Sequence, residues 1–337
     1  MKSSKKIPER MSAIRQYQAG GALDVEQVEV PRPGPGEVLI KMEASPVNPS
    51  DLAVMAGGYL ERPYPFTPGL EGSGTVVQAG KGFFPWLRLG KRVACSPAHG
   101  GDGTWAEYMI TPATNTAPLP RNTSMENGAM MLINPMTATA FIHMARQGKH
   151  RGMINNAASS SLGKMLIRLA KNRDIPLINI VRREEQVDEL KKLGATHVLN
   201  STAESFDSEL KSLSAELDAT LIFDAITGDQ ASVLLDAAPG GATLVAYARL
   251  SGDPIRIDPL ALMNAEKKVT GFLLENWLKY KGLLFKVRFI NSVRRELDGP
   301  LSSHISRSYP LERVEEAVTR YREHMSEGKI ILNIGSE

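Results

Sequence analysis

The rhythm of hydrophobic and polar positions changes about a third of the way along the chain. Up to about residue 120, short apolar runs at Val38–Met42, Ser73–Val77, Arg92–Cys95 and Trp105–Ile110 are interrupted by Gly and Pro. That punctuation belongs to short strands joined by turns, and it predicts a small barrel-like β domain. From about 150 to 270 apolar runs alternate with segments of helical period, the spacing of βαβ units around a parallel sheet. Strands are expected at Met153–Ala157, Leu177–Val181, His197–Asn200, Thr220–Ala225 and Thr243–Tyr247, and helices at Leu162–Asn172, Glu184–Leu193, Glu204–Glu216 and Asp229–Ala237. In the first of these helices Leu162, Leu166, Leu169 and Ala170 share one face, the stripe needed to cover a sheet. Gly194 after Lys191, Lys192 and Leu193 marks a helix end. Beyond 270 the chain leaves this pattern, with helices expected at Trp277–Glu296 and Leu311–His324 and a last strand at Ile330–Ile334. The expected fold is α/β, with a β-barrel domain over 1–130, completed by 271–337, and a doubly wound parallel sheet over 131–270.

Composition narrows the function classes. Apolar residues make up 42% and charged residues 23% of the 337 residues, which fits a folded globular chain of about two domains. Forty Lys and Arg against 37 Asp and Glu leave +3. With no basic cluster, no nucleic-acid partner is expected. Nowhere do about 18 uncharged apolar residues run together, so no membrane partner is expected either. A single cysteine, Cys95, excludes an intrachain disulfide and a structural zinc site of several thiolates. Lys2, Lys5, Lys6 and Arg10 are not followed by the apolar stretch of a secretory signal, and a cytoplasmic location is expected.

The first βα turn carries the clearest chemistry. A strand passing through small residues into a helix presents backbone N–H groups and the positive end of a helix dipole to a pyrophosphate. Asn155 to Gly163 (NNAASSSLG) have that layout, although of the usual three glycines only Gly163 remains. The cradle is then built from Ala158, Ser159, Ser160, Ser161, Leu162 and Gly163. About twenty residues on, where a carboxylate commonly holds the ribose of NAD, stand Arg182 and Arg183. A guanidinium fork suits a 2′-phosphate, which favours NADPH; the alternative is that both arginines simply open a solvated helix with Glu184 and Glu185.

Seven stretches in order, PRPGPGEVLIK (31–41), NPSDL (48–52), PGLEGSGTVV (68–77), GTWAEY (103–108), NPMTA (134–138), LGKMLIRLAK (162–171) and LGATHV (193–198), resemble the medium-chain dehydrogenase/reductase superfamily. The resemblance spans nearly the whole chain. It implies a GroES-like β-barrel domain and a Rossmann domain. At the places where zinc members carry a Cys and a His on the catalytic metal, this chain has Asn48 and Leu70, neither of which replaces a thiolate or an imidazole. The four-Cys lobe is absent as well. The chain therefore resembles the zinc-free reductases, among them quinone oxidoreductases and mitochondrial-type 2-enoyl thioester reductases. Features shared with the latter include Asn48 to Asp51 followed by Gly58 and Tyr59, Ile133 to Pro135, Ile154 to Ala157, Asn179 to Arg182, and Gly271, Phe272 and Trp277.

That resemblance implies that Tyr59 sits by the reacting group as proton donor or oxyanion stabiliser. Asn48 is expected as a polar positioner and Trp277 as a wall of the substrate pocket. Asn134 and Thr137 are expected near the nicotinamide, with Ala225, Tyr247 and Phe272 completing the cofactor set. The implied substrates are enoyl thioesters or enones, with quinones as the runner-up and a nucleotide-binding protein without turnover as the distant alternative. A homodimer through paired edge strands is implied, with Thr243–Tyr247 and Val269–Phe272 as candidate edges. Cys95, His99 and His143 read as structural, and Asp51 and Glu71 as anchors of loops.

Overall fold

The structure is a computed structural model and describes residues 7–58 and 62–335. The chain divides into two compact units, Met1–Ile133 with Ser303–Glu337, and Asn134–Ser302.

The second unit is built on six parallel strands. In spatial order they are His197–Asn200, Leu177–Val181, Gly152–Asn155, Ala219–Asp224, Thr243–Ala246 and Lys268–Gly271. Numbered along the chain this is the order 3-2-1-4-5-6, a doubly wound Rossmann sheet whose direction of winding reverses between Gly152–Asn155 and Ala219–Asp224. Every residue of Gly152–Asn155 and Leu177–Val181 is buried, as strands covered on both faces require. The helix Ser161–Lys171 starts where the Ser160 hydroxyl accepts the Gly163 N–H at 3.1 Å, an N-cap that satisfies one of the helix's free donors. The helix Glu184–Leu193 ends at Gly194, in the left-handed region with φ 99°, a conformation glycine adopts without strain.

The first unit is a mixed sheet organised around the long strand Glu37–Val47. It pairs antiparallel with Gly72–Ala79 and, along its other edge, with Tyr108–Pro112 and then Lys329–Asn333. Ile305–Pro310 runs parallel to Lys329–Asn333, while Arg92–Cys95 and Thr116–Pro118 extend the sheet beyond Gly72–Ala79. A separate hairpin joins Arg10–Arg15 to Asp24–Glu29. The barrel core gathers Val38, Ile40, Met42, Val93, Cys95 and Trp105 with Val314, Val318 and Ile330 from the returning segment.

Three expectations are corrected. The chain returns to the barrel at 303, not 271, because residues 283–302 are tied to the Rossmann unit: Arg168 donates to the carbonyls of Pro300 (2.8 Å) and Ser302 (2.6 Å), and Arg173 pairs with Glu296 at 2.6 Å. The single helix expected over 277–296 is two helices, Leu274–Lys279 and Leu283–Glu296, separated by Gly282, whose extended backbone (ψ 158°) caps the second. Thr243–Ala246 is not an edge; it lies between Ala219–Asp224 and Lys268–Gly271, and the latter is the edge.

Candidate active site

The carboxyl ends of the two strands at the winding reversal carry a dense polar cluster. Asn156 is fully buried; its amide donates to Asp224 Oδ1 (2.6 Å) and Gln230 Oε1 (3.0 Å), and its Oδ1 accepts the Ala225 N–H at 2.7 Å. The same Asp224 oxygen accepts the N–H groups of Ile226 and Thr227, both at 2.9 Å. Asp224 Oδ2 and both polar atoms of the adjacent Asn155 are buried without a protein partner. Buried polar atoms nearly always hold a partner, so these three mark an unfinished hydrogen-bond set. Ala157 (φ 49°) and Thr227 (φ 68°), just beyond the same two strand ends, occupy the left-handed region that side chains disfavour, the kind of local strain that collects at ligand sites.

The residues expected to cradle a pyrophosphate lie at the first βα turn of this sheet. Ala158, Ser159, Leu162 and Gly163 are buried and Ser160 and Ser161 half-buried at the start of an 11-residue helix. A Cβ on Gly163 would lie 2.3 Å from the Ala158 carbonyl oxygen, so only glycine lets this helix approach the loop so closely. Arg182 and Arg183 are exposed just past Leu177–Val181. Sequence reasoning missed the residue that joins the arginines to the loop. Gln186 donates to Ser159 Oγ at 2.7 Å and accepts the Arg182 N–H at 3.2 Å. A dinucleotide fits this set: N–H groups and small residues for pyrophosphate, guanidinium groups for a 2′-phosphate.

The other expected cofactor and substrate residues of this unit fall into an aromatic layer. Phe141 stacks on Phe223 at 3.8 Å and meets Tyr247 and Phe272 edge-on, each at 5.1 Å. Tyr247 donates its N–H to the Asp224 carbonyl, and burial raises its phenol. Asn134 and the buried Thr137 lie on the helix Asn134–Gln147, Thr137 one turn before Phe141. Trp277 is enclosed by rings, with Phe289 at 5.3 Å, His143 at 5.6 Å and Phe285 at 5.7 Å, and the Lys281 ammonium lies 5.0 Å above it. Tyr247, Phe272, Trp277 and Phe285 are half-buried, so these rings form a partly exposed aromatic layer.

In the first unit, the positions where zinc members hold their metal form a different construction. Asn48 is buried, with its amide N–H donating to Glu71 Oε1 at 3.1 Å and its oxygen accepting from the ammonium of the fully buried Lys329. Glu71 Oε2 accepts the N–H groups of Leu132 and Ile133, both at 2.9 Å. Asp51 accepts the Asn48 N–H at 2.8 Å and the Leu70 N–H at 2.9 Å. Burial pushes the Asp51 carboxyl up to about 7, against the lowering effect of the two N–H donors and Lys329. Burial likewise raises Glu71 and lowers Lys329, and their mutual attraction opposes both shifts. An ammonium on the Asn48 oxygen and a leucine at the imidazole position do not make a zinc donor set. Lys329 has no signal in its local sequence, since Asn48 lies 281 residues away.

Tyr59 lies outside the described residues. Beside it in sequence, Asp51, Val54, Arg62, Phe66 and Leu70 line a recess too small to take up a small molecule.

Known proteins fall in line with this geometry. The family model described as the alcohol dehydrogenase GroES-like domain matches residues 34–121. The model described as zinc-binding dehydrogenase matches residues 161–287. The protein named mitochondrial enoyl-[acyl-carrier-protein] reductase in Arabidopsis thaliana is 31% identical over 252 residues, covering 72% of this chain and 65% of that protein, just under two thirds of its length. A crystal structure from Mesorhizobium loti, named a candidate NADPH:quinone reductase, is 32% identical and superimposes with a TM-score of 0.86 over 98% of this chain and 100% of that one. A mycobacterial protein solved in complex with NADPH is 25% identical, with a TM-score of 0.80 over 96% of this chain and 100% of that one.

Proposed function

We propose that this chain, which belongs to the medium-chain dehydrogenase/reductase superfamily, is an NADPH-dependent reductase of activated C=C bonds, acting on 2-enoyl thioesters or related α,β-unsaturated carbonyls without a metal. The observation that carries this reading is the pairing of a dinucleotide cradle with a lysine–asparagine–glutamate chain in place of a zinc donor set. When bound, NADPH supplies a hydride to the β carbon, and the charge left on the carbonyl oxygen calls for a preorganised donor. Tyr59 offers that donor through its phenol O–H. Ser159 to Gly163 hold the pyrophosphate, and Arg182 and Arg183 the 2′-phosphate. Lys329, Asn48 and Glu71 position the loops of the first unit and take no part in bond making.

A quinone reductase is the second reading, favoured by the Mesorhizobium loti structure's name and 32% identity over its full length. Initial rates of NADPH oxidation by chelator-treated protein, with a short 2-enoyl-CoA in one cuvette and a simple quinone in the other, separate the two. Turnover of the thioester alone supports the enoyl reductase and leads to Tyr59→Phe. Turnover of the quinone alone moves the chain to the second reading, and silence with both removes each.

A homodimer completes the proposal. The edge strand Lys268–Gly271 is exposed along its whole length, and an uncovered edge invites pairing. Lys268 and Phe272 give their N–H groups to Ala242 and Ala246 on the inner strand, so in the strand's alternation Val269 directs its own outward. Val269→Pro should leave the inner ladder intact and turn a dimer into a monomer in light scattering. A cytoplasmic location is our reading for an enzyme whose one thiol, Cys95, is free and buried.

A further inference from the structure

One short helix of the first unit turns its apolar side chains outward. Phe83–Arg88 follows Gly82, and its inward side is the buried Pro85 with the half-buried Arg88, whose Nε donates to Thr116 Oγ1 at 3.0 Å. Around that anchor Phe83 and Trp86 are 68% and 66% exposed, and Phe84, Leu87 and Leu89 are exposed too. Phe83 touches Phe84 edge-on at 5.9 Å and Trp86 at 6.1 Å, so the rings stand together as a group. Single exposed apolar residues are ordinary on a protein surface; five large ones within seven residues are not.

At 100° per residue, Phe83, Phe84, Trp86 and Leu87 spread over an outward arc of about 160°. An arc this wide suits insertion into a lipid interface, which surrounds exposed rings on several sides.

Charge decides which medium. Between Gly72 and Gly101 the chain has no Asp or Glu but carries Lys81, Arg88, Lys91 and Arg92. Lys81 and Lys91 are exposed on either side of the helix. Glu37, next to this segment through the Gly80 N–H bond to its carbonyl, has its carboxylate turned onto the Gly34 N–H at 2.8 Å. Aromatic rings flanked by lysines, with no carboxylate among them, complement a surface that is apolar within and anionic at its face.

We propose that the Phe83–Leu89 protrusion is a peripheral membrane site, inserting its rings into the interface of an anionic phospholipid bilayer while Lys81 and Lys91 meet the headgroup phosphates. Contact of this kind is interfacial, and it departs from the expectation of no membrane partner that the lack of a spanning segment produced.

The test is flotation of the full chain with vesicles of phosphatidylcholine alone and with about one third phosphatidylglycerol, a fraction chosen to make the surface strongly anionic. The chain should float with the anionic vesicles only, with a blue shift of tryptophan emission, and salt should release it. Phe83→Ser with Trp86→Ser should lower the bound fraction at least about tenfold. Lys81→Gln and Lys91→Gln should weaken binding about fivefold each. All four side chains are exposed, so thermal unfolding and NADPH oxidation in solution should be unchanged. Failure to float, or binding that survives the double Ser variant, overturns the proposal. So does a drop in oligomer size in that variant without lipid binding by the parent, which would assign the patch to a second copy.

Discussion

The two buried polar clusters, one in each unit, differ in how completely their hydrogen bonds are made. In the barrel, Lys329, Asn48 and Glu71 are bonded in a chain, and the Asp51 and Glu71 carboxyls accept the N–H groups of Asn48, Leu70, Leu132 and Ile133. In the Rossmann sheet, Asn156 and one Asp224 oxygen are saturated, while Asn155 and the other Asp224 oxygen are left without partners. A buried polar group without a partner costs roughly 1–3 kcal/mol. A cluster that is closed serves the fold, and one left open at the strand ends of a doubly wound sheet is shaped for something the chain does not itself supply. The positions expected to match the zinc ligands of related members are of the closed kind here, and the proposed cofactor site is of the open kind.

The sharpest way to break this comparison is Lys329→Met. It removes the ammonium on the Asn48 oxygen and leaves the buried Glu71 and Asp51 without the cation that opposes their upward shifts, and the loss should be roughly 3–5 kcal/mol in urea unfolding. A loss below 1 kcal/mol would mean that the cluster is not closed by its lysine. Next in size, Arg182→Ala with Arg183→Ala should weaken NADPH binding about 10- to 100-fold and NADH much less, measured by fluorescence titration. Equal losses for both would return these arginines to the solvated helix start. Smallest is Asn155→Leu, which removes an unsatisfied amide. Stability should hold or rise by about 1 kcal/mol, while NADPH affinity falls about tenfold. Loss of stability with unchanged affinity would place Asn155 among the closed groups instead.

Legibility in the sequence followed range. The alternation over 150–270 could be read because the central strands are runs of buried residues and the helices beside them carry apolar stripes, both local signals. Ser160 to Gly163 could be read for the same reason, since the cap closes over three residues. Gln186 sits only four residues past Arg182, yet its value comes from Ser159 on another strand's loop, and no local pattern reports that. The hairpin Arg10–Arg15 with Asp24–Glu29 escaped notice because DVEQVE exposes most of its residues and lacks a strong apolar face. Gly282 falls inside the helix expected over 277–296, where it in fact separates two helices. Tyr59 lies outside the described residues, so its role rests on resemblance alone.

The position of Lys329 in the chain has a consequence in time. A ribosome delivers the barrel's two buried carboxylates, Asp51 and Glu71, 278 and 258 residues before it delivers the Lys329 cation, whereas Asn134–Ser302 emerges as one uninterrupted stretch. During synthesis the Rossmann unit can therefore settle first, and the first-made segment waits unfinished for the strand Lys329–Asn333 to leave the exit tunnel.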